Sequence, residues 1–252
     1  MARISPLKVR VFETCRLRFR YQYVDKDAGR VKPRLRPADT AGSLVHRVLC
    51  DFYSKVPANQ RSHDRLLDMF NDGWAALTPN YHRIAGVEKH YEASLHQLNN
   101  FSTKFDIDAQ PFMVEPYFQE EIAPGLTLFG RLDRLDENPE GTLHIIDYKT
   151  GTQPEEIDPK QLMFYALLVE AKLHRSVTKA SFWYLDDGSV WTTDFSDDDK
   201  RRAREELIAT VAEMDAAHDF PPTIAPHCAY CPFLKVCEFH KEIAEVRARE
   251  GW

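Results

Sequence analysis

Two aspartates and a lysine lie close together in this chain of 252 residues: Asp133 in Gly-Arg-Leu-Asp, and Asp147 and Lys149 in Ile-Asp-Tyr-Lys. Leu126 to Asp136 and Thr142 to Lys149 read as strands, and the turn formers from Glu137 to Gly141 join them into a hairpin. With Asp136 opposite Thr142, Asp133 faces Ile145 and Arg131 faces Asp147. Asp133, Asp147 and Lys149 then share one face of the sheet. Two carboxylates on one face repel each other and lose hydration, so a divalent cation is their natural counter-ion. Lys149 adds positive charge where a phosphoryl oxyanion would develop. An isolated Asp-x-Lys is common on solvated sheet faces, so the surrounding elements must decide its role.

A helix is expected from a cap at Thr40 to about Tyr53, with Leu44, Val45, Val48, Leu49 and Phe52 as its apolar stripe. His46 stands one turn after Gly42 and one turn before Cys50, and Gly42 leaves room for close approach. Arg61 to Leu77 and Val87 to about Phe105 read as amphipathic helices that offer packing surface. Pro111 to Ile122 reads as the first strand of the sheet and carries Glu115. A helix from Lys160 to Leu173 presents Gln161 and Tyr165 on one face, where both can hydrogen-bond a nucleic-acid backbone. Ala180 to Leu185 and Ser189 to Phe195 form another hairpin. Ser196 and Asp199 make a capping box for a long helix to about Ala217, so the Asp197 to Asp199 acids belong to its first turn.

The length suits one well-buried domain, with 43% hydrophobic and 29% charged residues. No apolar run approaches membrane-spanning length and no signal-peptide core is present, so a cytoplasmic protein with no membrane partner is expected. The net charge of -6 conceals an asymmetry. Residues 1–36 carry eleven Lys or Arg against three acids. That basic lead, with Arg16, Arg18 and Arg20 among Phe12, Phe19, Tyr21 and Tyr23, suits phosphate contact and base stacking. From Arg16 to Arg36 it reads as irregular and strand-like, broken by Gly29, Pro33 and Pro37.

The five cysteines are Cys15, Cys50, Cys228, Cys231 and Cys237. An odd count in a cytosolic-looking chain speaks against a disulfide framework. The C-x2-C-x5-C spacing of the last three is a metal signal, and Cys15, Cys50, His227 and His240 compete to be the fourth ligand.

Taken together, these residues resemble the PD-(D/E)xK nuclease superfamily, and specifically the RecB-like nucleases that carry an iron-sulfur cluster. His46 resembles the family's helical histidine, Asp133 its first sheet carboxylate, Asp147-Tyr148-Lys149 its D-x-K, and Gln161 with Tyr165 its Q-x-x-x-Y. Cys15, Cys228, Cys231 and Cys237 resemble its split cluster motif, with Arg16 where relatives often have Pro. The resemblance implies an α/β restriction-endonuclease-like core, a mixed central sheet flanked by helices, with a C-terminal iron-sulfur subdomain. It further implies a single domain over 1–252, divided into the basic lead at 1–36, the nuclease core at 40–218 and the cluster segment at 219–252.

The activity implied is Mg2+- or Mn2+-dependent hydrolysis of DNA, as an exonuclease in repair, recombination or CRISPR-type end processing. His46, Asp133, Asp147 and the carbonyl of Tyr148 would hold the metal, with Lys149 beside the reacting phosphate and Glu115 in support. Gln161, Tyr165, Arg16, Arg18 and Arg20 would position DNA, single-stranded or with a free end. A 4Fe-4S cluster would join the chain's two end segments. No G-x-x-x-x-G-K-[ST] occurs, so any ATP-driven unwinding belongs to a helicase or CRISPR-associated partner. The rival readings are a catalytically silent iron-sulfur DNA-binding module and a zinc-stabilised hydrolase.

Overall fold

The computed structural model describes residues 2–25 and 37–252; Gly29 and Pro33 lie outside them. The chain divides into two compact units, one formed by Leu35–Arg204 and the other by Ala2–Arg34 with Glu205–Trp252.

The basic lead opens with a short strand, β1 (Ala2–Ile4), and is then helical. The strand-like reading of Arg16 onward is corrected by α1 (Pro6–Thr14), α2 (Arg16–Phe19) and a π-helical turn over Arg20–Val24. Ser5 caps α1 by accepting the Lys8 N–H at 3.3 Å, and Pro6 occupies the first turn, where its missing N–H is no loss. The extended backbone at Cys15 ends α1. Of the aromatic rings that suggested base stacking, Phe12 and Phe19 are buried and meet edge-on at 4.9 Å, while Tyr23, 5.2 Å from Phe19, is exposed and Tyr21 half-buried.

In the larger unit, α3 (Pro37–Lys55) begins three residues before the expected cap. Pro37, read as a breaker, sits at the helix start, where proline is tolerated. The α3 stripe buries Leu44, Val45, Val48, Leu49 and Phe52. It packs with Leu66 and Phe70 of α4 (His63–Ala75) and with Leu98 and Phe101 of α6 (Glu88–Lys104). The short α5 (Pro79–His82) lies between the last two in sequence. Each large apolar side chain buried there contributes about 1.5–3 kcal/mol.

The expected strands Pro111 to Ile122 and Leu126 to Asp136 are each broken in two. The first becomes β2 (Met113–Val114) and β3 (Tyr117–Ala123); the second becomes β4 (Leu126–Arg131) and β5 (Arg134–Glu137). The breaks face each other, the Glu115 N–H donating to the Asp133 carbonyl at 2.9 Å and the Leu132 N–H to the Pro116 carbonyl at 3.2 Å. Glu115 has φ of 46°, a left-handed conformation unusual for a residue with a Cβ. At these breaks the chain leaves the β2–β5 pairing and enters the antiparallel β3–β4 hairpin.

β5 pairs with β6 (Leu143–Lys149) at Leu135↔Ile145 and Asp136↔His144. The expected register is therefore wrong by two residues, because Asn138 N–H reaches the Thr142 carbonyl and closes a tighter turn, with Gly141 at φ 84°. An even slip leaves the paired residues of β5 and β6 on their expected faces, while Asp133 precedes β5 and is not paired. The five-stranded sheet runs β2-β5-β6-β7-β8, with β7 (Val177–Tyr184) and β8 (Val190–Asp194). β6 and β7 are parallel, and α7 (Lys160–Leu173) is the crossover that this pairing requires. α8 (Asp197–Ala216) carries the expected capping box, the Asp199 N–H donating to Ser196 Oγ at 3.2 Å and the Ser196 N–H to Asp199 Oδ2 at 3.1 Å. The last helix is α9 (His240–Glu250). Among the described residues no helix is long and apolar enough to cross a membrane.

Candidate active site and cysteine cluster

Because β5 begins only at Arg134, Asp133 is released from the sheet ladder and uses its side chain there. Asp133 Oδ2 accepts the Tyr148 N–H at 2.8 Å, while Oδ1 lies 3.0 Å from His46 Nδ1 on α3. Close approach of α3 to the end of β6 depends on Gly42. A Cβ at that position would stand 3.1 Å from Thr150 Oγ1, immediately after Lys149.

Asp147 is buried in the central strand, and two neighbours reach it. Gln161 of α7 donates through Nε2 to Asp147 Oδ1 at 2.9 Å and accepts from Lys149 Nζ through Oε1 at 2.9 Å. Lys149 Nζ lies 2.5 Å from Asp147 Oδ2 as an ion pair. The ammonium also sits 4.6 Å above the ring of Phe182. Gln161 thus bridges the acid and the base of the D-x-K motif. Tyr165 is buried one turn along α7 and packs on Gly130, where a Cβ would come within 2.8 Å of its ring.

Burial, then the charge of Asp133, pushes the Asp147 carboxyl up to about 6, with Lys149 and His46 opposing. For His46, burial works against protonation, but the hydrogen bond and charge of Asp133, with the charge of Asp147, outweigh it and raise its pKa. Burial, followed by the charge of Asp147, raises the Tyr165 hydroxyl.

The donor set fits a hard divalent cation. It offers a buried carboxylate whose Oδ2 meets the Lys149 ammonium, a second carboxylate, and an imidazole whose Nδ1–H can donate to that second carboxylate, leaving Nε2 as a ligand nitrogen. Tyr148 N–H points to the edge that β5 has vacated, and a strand residue's carbonyl faces the same edge as its N–H. Among the described residues no three His, Cys, Asp or Glu side chains stand ready to hold a metal as positioned.

A cavity of about 770 Å³ opens beside His46 and Asp133. Glu115 lines it too, turned there by its left-handed backbone and paired with Arg131 at 3.3 Å. On α6, read from the sequence as packing surface alone, His90, Ser94 and Gln97 also line it. No motif marks these three; only the packing of α6 brings them there.

The smaller unit contains Cys15, Cys228, Cys231 and Cys237, all free thiols. Burial raises the Cys231 and Cys237 thiols, and the charges of Cys15 and Cys228 raise both further. The Leu17 N–H donates to the Pro221 carbonyl at 3.3 Å, and Tyr21 packs on Phe233 at 5.7 Å, which brings the flanks of Cys15 to those of the C-terminal trio. Cys50 lies on α3 in the other unit, where burial and then Glu115 raise its pKa.

Of the three arginines singled out in the lead, Arg16 and Arg20 are engaged in ion pairs within their own unit. Arg16 pairs with Glu213 at 2.5 Å and stacks on Phe12, and Arg20 pairs with Asp25 at 3.0 Å. Arg18 has a buried Nε without a hydrogen-bond partner, and its charge acts on Cys231 and His227.

The family model of the PD-(D/E)XK nuclease superfamily matches residues 3–238. A crystal structure of a candidate exonuclease from Eubacterium rectale aligns over 89% of this chain and 85% of its own, with a TM-score of 0.51 and 12% identity, a likeness of fold. An uncharacterized protein of Rickettsia conorii is 24% identical over 144 residues. That match covers 52% of this chain and only 17% of the longer Rickettsia protein.

Proposed function

This chain belongs to the PD-(D/E)XK nuclease superfamily, and from that premise we propose that it is a divalent-metal-dependent deoxyribonuclease of the RecB-like, iron-sulfur type, acting as an exonuclease. The observation that carries the reading is the pair of interlocked triplets, His46–Asp133–Tyr148 N–H and Asp147–Gln161–Lys149, at the vacated edge of the central strand. His46, Asp133, Asp147 and the Tyr148 carbonyl would hold Mg2+ or Mn2+. When bound, that ion supplies Lewis acidity toward a phosphate and a more acidic water.

The chain's own residues supply the rest. Asp147 and Asp133 bring negative charge to a poorly solvated edge, where it is strongly felt by a cation. Lys149, held by Gln161 and Phe182, presents its ammonium to a phosphate oxygen as charge grows there. A new bond joins the water oxygen to phosphorus, an ester P–O bond breaks, and the leaving oxygen takes up a proton. Tyr165 and Gln161 brace the strand's approach. Cys15, Cys228, Cys231 and Cys237 would hold a 4Fe-4S cluster, whose contribution is a cross-link between the chain's two end segments. The substrate is DNA, single-stranded or with a free end, in repair, recombination or CRISPR-type end processing, with unwinding left to a partner.

The test is cleavage of end-labelled single- and double-stranded DNA, linear and circular, with Mg2+, with Mn2+ and with chelator. Metal-dependent loss of linear strands is expected. DNA binding without cleavage would instead identify a catalytically silent module, and a colourless zinc-containing protein would remove the cluster.

A further inference from the structure

Val114 of β2 and Ile146 of β6 both pair with Arg134, the first residue of β5, so these three form one rung of the central sheet. Each member of that rung has an acid as its sequence neighbour: Glu115 follows Val114, Asp133 precedes Arg134 and Asp147 follows Ile146. Arg134 thus occupies the last regular rung before the acids.

The side chain of Arg134 is 3% exposed, a rare burial for a guanidinium. Its Nε and Nη2 donate to Asp136 Oδ1 and Oδ2 at 2.7 Å each, and the guanidinium carbon lies 4.8 Å from the centre of the Tyr53 ring and 5.3 Å from that of Trp183. Arg134 also neighbours Tyr148: burial raises that residue's hydroxyl, and the charge of Arg134 opposes the shift. The Tyr148 ring packs on Trp183 at 5.9 Å and meets the His46 ring edge-on at 6.1 Å. One buried cation is therefore linked to both members of the Asp133–His46 pair, to Asp133 through the chain and to His46 through the Tyr148 ring.

Stability alone does not call for such a group. Desolvation consumes most of the attraction in a buried ion pair, and apolar residues of similar volume often serve as well. A planar cation held by a carboxylate fork and two rings offers a fixed position instead. Resting on the nuclease reading and deepening it, we propose that Arg134 is a positioning residue for the metal site. It acts through Asp133 and Tyr148, keeping Asp133 and His46 within reach of one divalent cation.

The test pairs Arg134→Met with Asp136→Asn, so that the ion pair is removed as a unit and no buried charge is stranded. Arg134→Lys keeps the charge and loses the fork and the flat stack. Mn2+ binding to the full chain is followed without DNA by the fall in the free-ion electron paramagnetic resonance signal, and the difference between wild type and Asp147→Ala defines binding at this site. The Kd for Mn2+ at this site is expected to rise about tenfold in the double variant and by less in Arg134→Lys. Melting temperature in chelator should stay close to wild type, and cleavage should recover at saturating Mn2+. Wild-type Mn2+ affinity in the folded double variant overturns the proposal, whatever its melting temperature, and leaves the nuclease reading standing. If the double variant does not fold, Arg134→Lys decides: weaker Mn2+ binding supports the proposal and unchanged binding overturns it. Failure of both to fold gives Arg134 a structural role and overturns it too. Equal Mn2+ binding by wild type and Asp147→Ala, with no cleavage by wild type, defeats the nuclease reading, and this inference with it.

Discussion

The candidate active site and the cysteine-bearing unit are built on opposite terms. Around Asp133 and Asp147 regular structure carries the chemical groups or ends beside them: a helix carries His46, Asp133 stands in the break between two strands, and α7 holds Gln161 between Asp147 and Lys149. Cys228 instead sits on a single 3-10 turn over Pro226–Tyr230, Cys231 and Cys237 directly follow that turn and the one over Leu234–Val236, and Cys15 stands at the junction of α1 and α2. Little secondary structure fixes them, and burial raises the Cys231 and Cys237 thiols toward their protonated form. A site preorganised by the fold can lose its ion and keep its shape, whereas one made of turns and thiols depends on what it binds.

Catalysis gives the largest expected effects. Asp147→Ala or Lys149→Ala should lower cleavage by about a thousandfold or more, since each removes charge at the reacting phosphate. Melting temperature and DNA binding should stay near wild type, because the sheet and α7 do not need those groups to pack. Turnover within about tenfold of wild type in either variant would contradict the assignment. His46→Ala should act mainly through metal affinity, with part of its loss recovered at raised Mn2+.

Next in size is the opposite response in the smaller unit. Joining Cys15 to the C-terminal trio closes a loop of more than two hundred residues, and such a cross-link removes on the order of 5 kcal/mol of unfolded-chain entropy. Replacing Cys15, Cys228, Cys231 or Cys237 by Ser should lower the melting temperature well beyond any active-site variant and remove absorbance near ~400 nm, in line with cysteine-ligated clusters. Cys50→Ser should retain iron and colour. If Cys15→Ser keeps a full cluster while Cys50→Ser loses it, the contrast between the regions fails.

The active site should also be a place where function is held against stability. Folding raises the Asp147 pKa to about 6, so ionised Asp147 is disfavoured by the fold. The resulting loss of stability is absent below its ordinary range near ~4 and complete once pH exceeds about 6. Asp147→Asn should therefore be inactive yet more stable without metal by about 1–3 kcal/mol at pH 7–8, with the gain vanishing toward pH 4. Melting curves in chelator across that range test it; a gain that grows as pH falls would reverse the sign of the argument.

Local chemistry was readable where it acts locally. The bounds of α7, the capping box of α8 and the apolar stripe of α3 all follow from residues a few positions apart. The strand breaks at Glu115 and Asp133 were not readable, since Leu126 to Asp136 carries no Pro and its single Gly130 lies ahead of the break. What stops the strand is a pair of backbone hydrogen bonds to residues 113–117, made across sequence. The same limit hid the α6 side of the cavity. Asp147 and Lys149 keep one face despite a register error of two residues because an even slip preserves faces, whereas Asp133 stands outside the ladder and reaches the edge of β6 with its side chain.

The smallest effect concerns the basic lead. Three arginines free to meet phosphates would each release counterions, and replacing Arg16, Arg18 and Arg20 by Gln would then reduce the salt slope of single-strand binding by about 2. The unit's own contacts argue for less. Arg16 is held between Glu213 and Phe12, and Arg18 has its Nε buried beside the cysteines, so neither presents an uncommitted guanidinium. Arg20 is the most open of the three, its side chain 44% exposed, and its pair with the part-exposed Asp25 is of the weak surface kind that a phosphate can replace. The triple variant should therefore reduce the slope by about 0.7, one phosphate contact, and Arg20→Gln alone should reproduce nearly all of it. A drop near 2 would mean that the Glu213 and Asp25 pairs open when DNA binds, and no drop would mean that this helical lead faces away from the strand.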